Sequence, residues 1–300
     1  MMIDKDGWLQ RPDEVKMTME TFPNPVFNFG APQKVNTFLH QIFKKVVGRD
    51  RDEGPQLIGD CVSWGWMGVV DYEQAMDLHF NTNPTADLIF EQTATEVIYA
   101  GSRCEIGNQW GWRSDGSVGA WAAKFLEKYG AMSRPHLQRL GLNPDYDPNR
   151  AKEWGRTGVP DKLEPNLRKM KECSQVRTFD EFCALNQRGK TVAVCSNVGF
   201  ENSRSRSFIT ERDKDGFATP RGTWNHCMQL VSSINTGPRP GGLCINQWPK
   251  ETIRGEQPYE TPNWGFWIDA EVIDRMLAQG DSFTADIYEG YPARPLTWES

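Results

Sequence analysis

Apolar residues recur at helical spacing through Val35, Phe38, Leu39, Ile42, Phe43, Val46 and Val47, until Gly48 and the charged run Arg49-Asp50-Arg51-Asp52-Glu53 end the pattern. This predicts an amphipathic helix and a solvated loop after it. A second, more apolar segment opens at Cys61 and continues through Trp64, Met67, Val70 and Met76, as a mostly buried helix would. Cys61 then falls at a helix N-terminus. A further helix is expected within 84–100. Another runs from Ala120 to Tyr129, with Gly130 as its C-terminal cap. Residues 138–172 are polar and proline-punctuated, suiting a crossing between two lobes.

The period then changes. Thr178-Phe179-Asp180-Glu181 has capping-box spacing, Gly189 closes that short helix, and Thr191–Cys195 reads as a strand. Strands are also expected at 226–234 and 243–248, joined by the turn-rich Gly237-Pro238-Arg239-Pro240-Gly241-Gly242. Paired as a hairpin, they bring His226 and Asn246 to the same edge of a sheet. Residues 1–33 show no sustained period and read as an extended arm. Helices first and antiparallel strands afterwards give an α+β order.

Three hundred residues suffice for one large domain or two packed lobes, and exclude a disulfide-stapled miniprotein. With 34 basic against 40 acidic side chains the net charge is −6, so neither nucleic acid nor an anionic membrane is an expected partner. The first residues lack the apolar stretch of a secretory signal, and no window approaches about 18 uninterrupted apolar residues. A soluble, cytoplasmic or virion-associated protein is the expectation. The seven cysteines are odd in number and form no CxxC pairs, which points to free thiols, with no metal site and no cofactor.

Four histidines limit any imidazole chemistry. His40 and His79 sit in helical patterns and His136 in a turn, where structural roles suffice, whereas His226 opens a strand. A thiol nucleophile needs a thiolate, a base and donors for the oxyanion. Cys61 at a helix N-terminus receives the positive end of the macrodipole. His226 completes a thiolate–imidazolium pair, and the Asn246 carbonyl fixes the ring. Gln56 is a candidate oxyanion donor, and Trp248 would shield the His226–Asn246 bond from water.

These residues carry a resemblance to the papain-like cysteine peptidases. Gln56-Leu57-Ile58-Gly59-Asp60-Cys61-Val62-Ser63-Trp64 resembles the family's Gln…Gly-x-Cys-Trp nucleophile segment. Asp115-Gly116-Ser117-Val118-Gly119, followed by the helix closing on Tyr129-Gly130, resembles its Gly-Gly loop and "Tyr-Gly" helix end. Asn225-His226-Cys227 resembles the Asp-His-Ala strand, and Asn246-Gln247-Trp248 with Asn263-Trp264-Gly265 resembles the Asn-Ser-Trp-Gly element. The spacing of 165 residues from Cys61 to His226 exceeds the roughly 130–150 common in papain and cathepsins, and a longer inter-lobe loop would absorb the excess. Gln56 precedes Cys61 by five positions, one fewer than usual, Val62 stands where the family commonly has Trp, and Ile58 stands where a disulfide cysteine would be.

The resemblance implies a papain-like two-lobe fold: an arm (1–33), a helical lobe with the nucleophile helix (34–150), an antiparallel β lobe with His and Asn (151–280), and a tail (281–300). It implies a peptide or isopeptide hydrolase with Cys61, His226, Asn246 and Gln56 catalytic, and Gly116, Ser117 and Trp248 binding a polypeptide substrate. The stretch before Gln56 lacks the long helical pattern of the family's inhibitory propeptide, so activation by propeptide removal is not expected. Two alternatives stay open. One is a cell-wall amidase or endopeptidase; the other is a non-catalytic component of a viral particle or larger assembly, docking through the arm or the Trp-, Pro- and Tyr-rich tail.

Overall fold

The computed structural model describes residues 7–23, 30–51, 54–80, 88–201 and 209–290. Its helices are α1 (Pro12–Met19), α2 (Leu39–Val47), α3 (Cys61–Phe80), α4 (Thr95–Gly101, continued by a π-helical turn Ser102–Ile106), α5 (Gly119–Lys128), α6 (Arg134–Arg139), α7 (Pro148–Thr157), α8 (Phe179–Asn186) and α9 (Ala270–Leu277). Its strands are β1 (Met170–Gln175), β2 (Val192–Val198), β3 (Thr210–Glu211), β4 (Thr223–Ile234), β5 (Gly241–Ile245), β6 (Ile253–Arg254), β7 (Gly265–Asp269) and β8 (Phe283–Tyr288).

Six strands form one antiparallel sheet in the order β1-β8-β2-β4-β5-β7, and β3 pairs with β6 beside it. The helical elements of the first half pack around α3, which in turn lies on β2, β4 and β8. Helix and antiparallel sheet thus make the α+β, two-lobe architecture expected. Two glycines allow α3 its close approach to the sheet. A β-carbon on Gly65 would lie 2.8 Å from Cys227 Sγ, and one on Gly68 would collide with Gln229 and Arg51. Because Cys227 and Gln229 are on β4, this contact sets the N-terminal end of α3 against the strand that carries His226.

Several elements differ from the periodicity reading. The arm contains α1, whose first turn starts with Pro12 and two acidic residues, the composition that suits a helix N-terminus. The polar crossing holds α7, capped by Asp147, which accepts from Asn149 and Arg150 N–H, and it is entered from α6, capped by Ser133, which accepts from His136 N–H. The tail expected from residue 281 instead contributes β8, an inner strand between β1 and β2; the part of it from Tyr291 onward lies outside the described residues. The capping of α8 by Thr178 holds, with Oγ1 accepting from Glu181 N–H at 3.1 Å. All seven cysteines carry buried free thiols. Among the described residues no helix is long and apolar enough to cross a membrane.

Candidate active site

Cys61 is the first residue of the twenty-residue α3. The loop before it is tied down locally: Asp60 C=O accepts from Ser63 N–H, Trp64 N–H and Ser63 Oγ. It is also tied across the cleft, since Gln56 N–H donates to Gln247 O at 2.9 Å. Gln247 Nε2 donates to Cys227 O at 2.5 Å and to Cys61 O at 3.4 Å. The loop before Cys61, β4 and the segment after β5 are therefore laced together at one point, through Gln247, to which the sequence assigned no role.

His226 sits on β4, opposite Ser196 of β2. Its Nε2–H donates to Asn246 Oδ1 at 2.9 Å, and Asn246, just past β5, is itself held by its N–H on Trp264 O. With Nε2 so engaged, Nδ1 is left as the basic nitrogen, and it has no hydrogen-bond partner among the described residues. The Trp248 ring lies against the imidazole, centroids 4.6 Å apart, and is fully buried with the Trp224 ring packed against it at a tilt. The sulfur of Cys61 accepts from Cys227 N–H at 3.4 Å, so it lies at the residue next to His226. Gln56 is buried in the same region, and its Nε2 donates to Ile58 O at 2.7 Å.

Cys61 is fully buried, and Gly7 of the arm packs directly against its sulfur. A β-carbon on Gly7 would stand 2.8 Å from Cys61 Sγ and 2.7 Å from Gly59 C. From there the chain runs extended along the cleft wall. Ser117 N–H donates to Gly7 O (2.9 Å), Leu9 N–H donates to Ser117 O (2.8 Å), and Trp8 N–H donates to Asn225 O (3.0 Å). Trp8 and Ser117 form a parallel bridge. Gly116, at φ 103°, faces the same segment, since a β-carbon there would meet the Leu9 side chain. Beyond Leu9, Arg11 lies over the Trp112 and Trp121 rings, α1 packs on α5, Lys124 Nζ holds Thr21 O and Phe22 meets Phe283.

The electrostatics follow from the enclosure. Burial pushes the Cys61 thiol well above its usual range, and the nearby Cys227 thiol and Asp60 carboxyl act in the same direction. Burial also lowers His226 to about 4, against the raising effect of its bond to Asn246. Both shifts work against the expected thiolate–imidazolium pair while the site is enclosed. Asp60 itself, next to Cys61, is raised well above a normal carboxylate by burial, although Tyr146 O–H donates to it at 2.9 Å.

The sequence matches no protein-family model and no curated protein sequence. Solved structures do match over nearly the whole chain. Xylellain, a cysteine protease from Xylella fastidiosa, is 16% identical and superposes with a TM-score of 0.50, covering 95% of this chain and 92% of its own. Procathepsin B S9 from Trypanosoma congolense is 12% identical with a TM-score of 0.55, covering 96% and 92%. Digestive procathepsin L 3 from Tenebrio molitor larval midgut is 10% identical with a TM-score of 0.53, covering 93% and 79%. The fold is that of these papain-like cysteine proteases, shared at only 10–16% sequence identity.

Proposed function

We infer that this protein is a thiol hydrolase that cleaves peptide or isopeptide bonds through Cys61 and is held at rest by its own N-terminal arm. The observation that carries this reading is the polypeptide already lying in the cleft: Gly7-Trp8-Leu9 is hydrogen-bonded along Ser117 and Asn225 with Gly7 against the Cys61 sulfur. A groove that grips an extended backbone beside a thiol, with an oriented imidazole on the neighbouring strand, has the parts that acyl transfer requires.

With the arm withdrawn, water reaches the site, and the burial that keeps thiol and ring neutral is relieved. His226 Nδ1 takes the Cys61 proton, and the sulfur attacks the substrate carbonyl carbon. The tetrahedral intermediate collapses as the amine leaves with the proton from Nδ1. A water molecule then gives its proton to the ring and its oxygen to the thioester, releasing the acid and restoring the thiol. Asn246 keeps Nε2 protonated and the ring aligned throughout. The Cys61 backbone N–H at the start of α3 is an oxyanion donor, and Gln56 joins it if its amide turns from Ile58 O when substrate enters.

The arm bears on the alternative of an assembly component, because residues 7–22 are seated on this chain's own two lobes rather than free to engage a partner. The test is exposure to a thiol-directed peptide electrophile with mapping of the modified residue by mass spectrometry. Modification at Cys61, its loss in Cys61→Ala, and cleavage of a peptide library support the reading. Release of products from purified murein alone would favour the cell-wall amidase.

A further inference from the structure

Three thiols meet where α3 crosses the sheet. The Cys61 sulfur accepts from Cys227 N–H at 3.4 Å. The Cys227 sulfur lies against Gly65, where a β-carbon would stand 2.8 Å from it, and Gly65 is one turn along the same face of α3 from Cys61. Both sulfurs therefore occupy one seam between α3 and β4. The third belongs to Cys195, directly opposite Cys227 in the pairing of β2 with β4. All three residues are fully buried. Cys195 and Cys227 make a close pair, because their backbone groups are engaged elsewhere. Cys195 N–H donates to Ser282 Oγ, on the β8 side of β2. Cys227 N–H points to Cys61, and its carbonyl accepts from Gln247 Nε2. This is the pattern of a non-hydrogen-bonded antiparallel pair, whose α-carbons stand about 4.5 Å apart with both side chains on one face, within the separation of about 4.4–6.8 Å that a disulfide spans.

The three differ in what can reach them. Burial, and then a hydrogen bond with the Cys227 side chain, push the Cys195 thiol well above its usual range, and a protonated core thiol is a poor target for an oxidant. Cys61 is freed when the arm withdraws, and His226 is there to take its proton. We propose that Cys195 and Cys227 form a redox modification site that takes over the oxidation of Cys61 by a hydroperoxide, ending as a Cys195–Cys227 disulfide with Cys61 returned to the thiol. From the thiol-hydrolase reading this takes only a Cys61 that becomes reactive when the arm leaves. The Cys61 sulfur attacks the terminal oxygen of the hydroperoxide; the O–O bond breaks, the sulfur becomes a sulfenic acid, and the alcohol leaves with the thiol proton. The Cys227 sulfur attacks that of Cys61, the S–O bond breaks, and hydroxide departs as water with the Cys227 proton. Cys195 then attacks the Cys227 sulfur, which lies between the other two, and its proton passes to the departing Cys61 thiolate. Two thiols are oxidised to one disulfide, and one hydroperoxide is reduced to alcohol and water.

The full-length Gly7→Val chain, in which the arm cannot seat against Cys61, is treated with stoichiometric hydrogen peroxide, its free thiols are alkylated, and its disulfides are mapped by mass spectrometry. The expected product has lost two hydrogen atoms, carries a Cys195–Cys227 bond, and still reacts at Cys61 with a thiol-directed electrophile. Adding Cys195→Ser should stop the sequence at a Cys61–Cys227 disulfide, with labelling of Cys61 lost until a thiol reductant restores it. Adding Cys227→Ser should leave Cys61 to gain two oxygens as the sulfinic acid, which the reductant does not reverse. Adding Cys61→Ser should abolish the Cys195–Cys227 bond. Equal formation of that bond without Cys61, or accumulation of Cys61 sulfinic acid with all three thiols present, or no disulfide at all, overturns the proposal. The Cys195→Ser and Cys61→Ser measurements decide the matter if Cys227→Ser does not fold. Peptide cleavage by a sample whose Cys61 goes on to sulfinic acid removes the thiol relay and leaves the hydrolase. A Cys61-dependent Cys195–Cys227 bond in a sample that cleaves no peptide upholds the relay and removes the hydrolase reading.

Discussion

Gly7 touches Cys61: the space where a β-carbon would stand on Gly7 is 2.8 Å from the sulfur and 2.7 Å from the Gly59 carbonyl carbon. No side chain fits there without moving the arm, so a glycine at this point is a steric condition of closure. Forcing atoms into a packed contact costs about 1–3 kcal/mol, which would shift the closed–open equilibrium by roughly 5- to 150-fold. Gly7→Val should therefore accelerate covalent labelling of Cys61 by about an order of magnitude or more, read by intact-mass spectrometry over time. An unchanged rate would mean that the arm does not control access.

The imidazole is expected to be neutral at mildly acid pH. With His226 lowered to about 4 by burial and an unfolded value of about 6.5, the unfolded chain binds more protons between these limits. The stability this ring contributes is therefore complete above about pH 6.5 and is lost progressively as pH falls toward 4. In ¹⁵N-resolved NMR of the full chain, the His226 ring should remain the Nε2–H tautomer at pH 5. A midpoint near 6.5 would show the ring to be hydrated in the closed state.

Much of this site was legible because each part rests on a local pattern. The apolar run from Cys61 predicted α3, the buried-looking run Cys227–Val231 after His226 predicted β4, and the turn-rich 237–242 predicted the hairpin that brings Asn246 to His226. What escaped depends on contacts distant in sequence or on weak local signals. Trp8 and Asp281 are 273 positions apart, and nothing in the composition around either one announces the other. Helix α1 buries only Val15 and Thr18, too few apolar positions to show a period, so the arm read as extended. Helices α6 and α7 are also polar, yet Ser133 before Pro135 and Asp147 before Pro148 are helix-start signals that the run of prolines and polar residues obscured. Strand β8 looked like part of a tail because Phe283–Tyr288 is short and follows Gly280.

Asp281 gives the arm a pH dependence of definite sign. In the closed state burial raises its carboxyl to about 7, even though Trp8 and two helix N–H groups favour the anion. Once Trp8 withdraws and water enters, the group moves back toward about 4, the range of an ordinary aspartate. Between these values the closed form binds the extra proton, so opening releases one and becomes more favourable as pH rises, by at most about tenfold per unit. Hydrogen exchange at the Trp8 and Leu9 amides, corrected for its intrinsic pH dependence, should reveal opening that increases from pH 5 to pH 7 and then levels off. Asp281→Asn should flatten the profile. A profile that falls with pH would mean that the carboxylate, rather than its protonated form, is what the closed arm prefers.

Replacing Asn246 should cost less than replacing His226. In the proposed cycle the ring supplies proton transfer in both half-reactions, an effect worth about 10²–10⁴-fold, whereas Asn246 orients it through the 2.9 Å bond to Nε2. The Trp248 ring against the imidazole restrains it even after that bond is lost. Measured in the Gly7→Val background so that arm opening does not limit the rate, His226→Ala should reduce kcat by about 10²-fold or more. Asn246→Ala should lower kcat less and displace the acid limb of the pH–rate profile downward, because the bond it removes favours the protonated ring. If Asn246→Ala proved the more damaging substitution, the carboxamide would have to act on the substrate or the oxyanion directly, and orientation of His226 would fall to Trp248 and the β4 backbone.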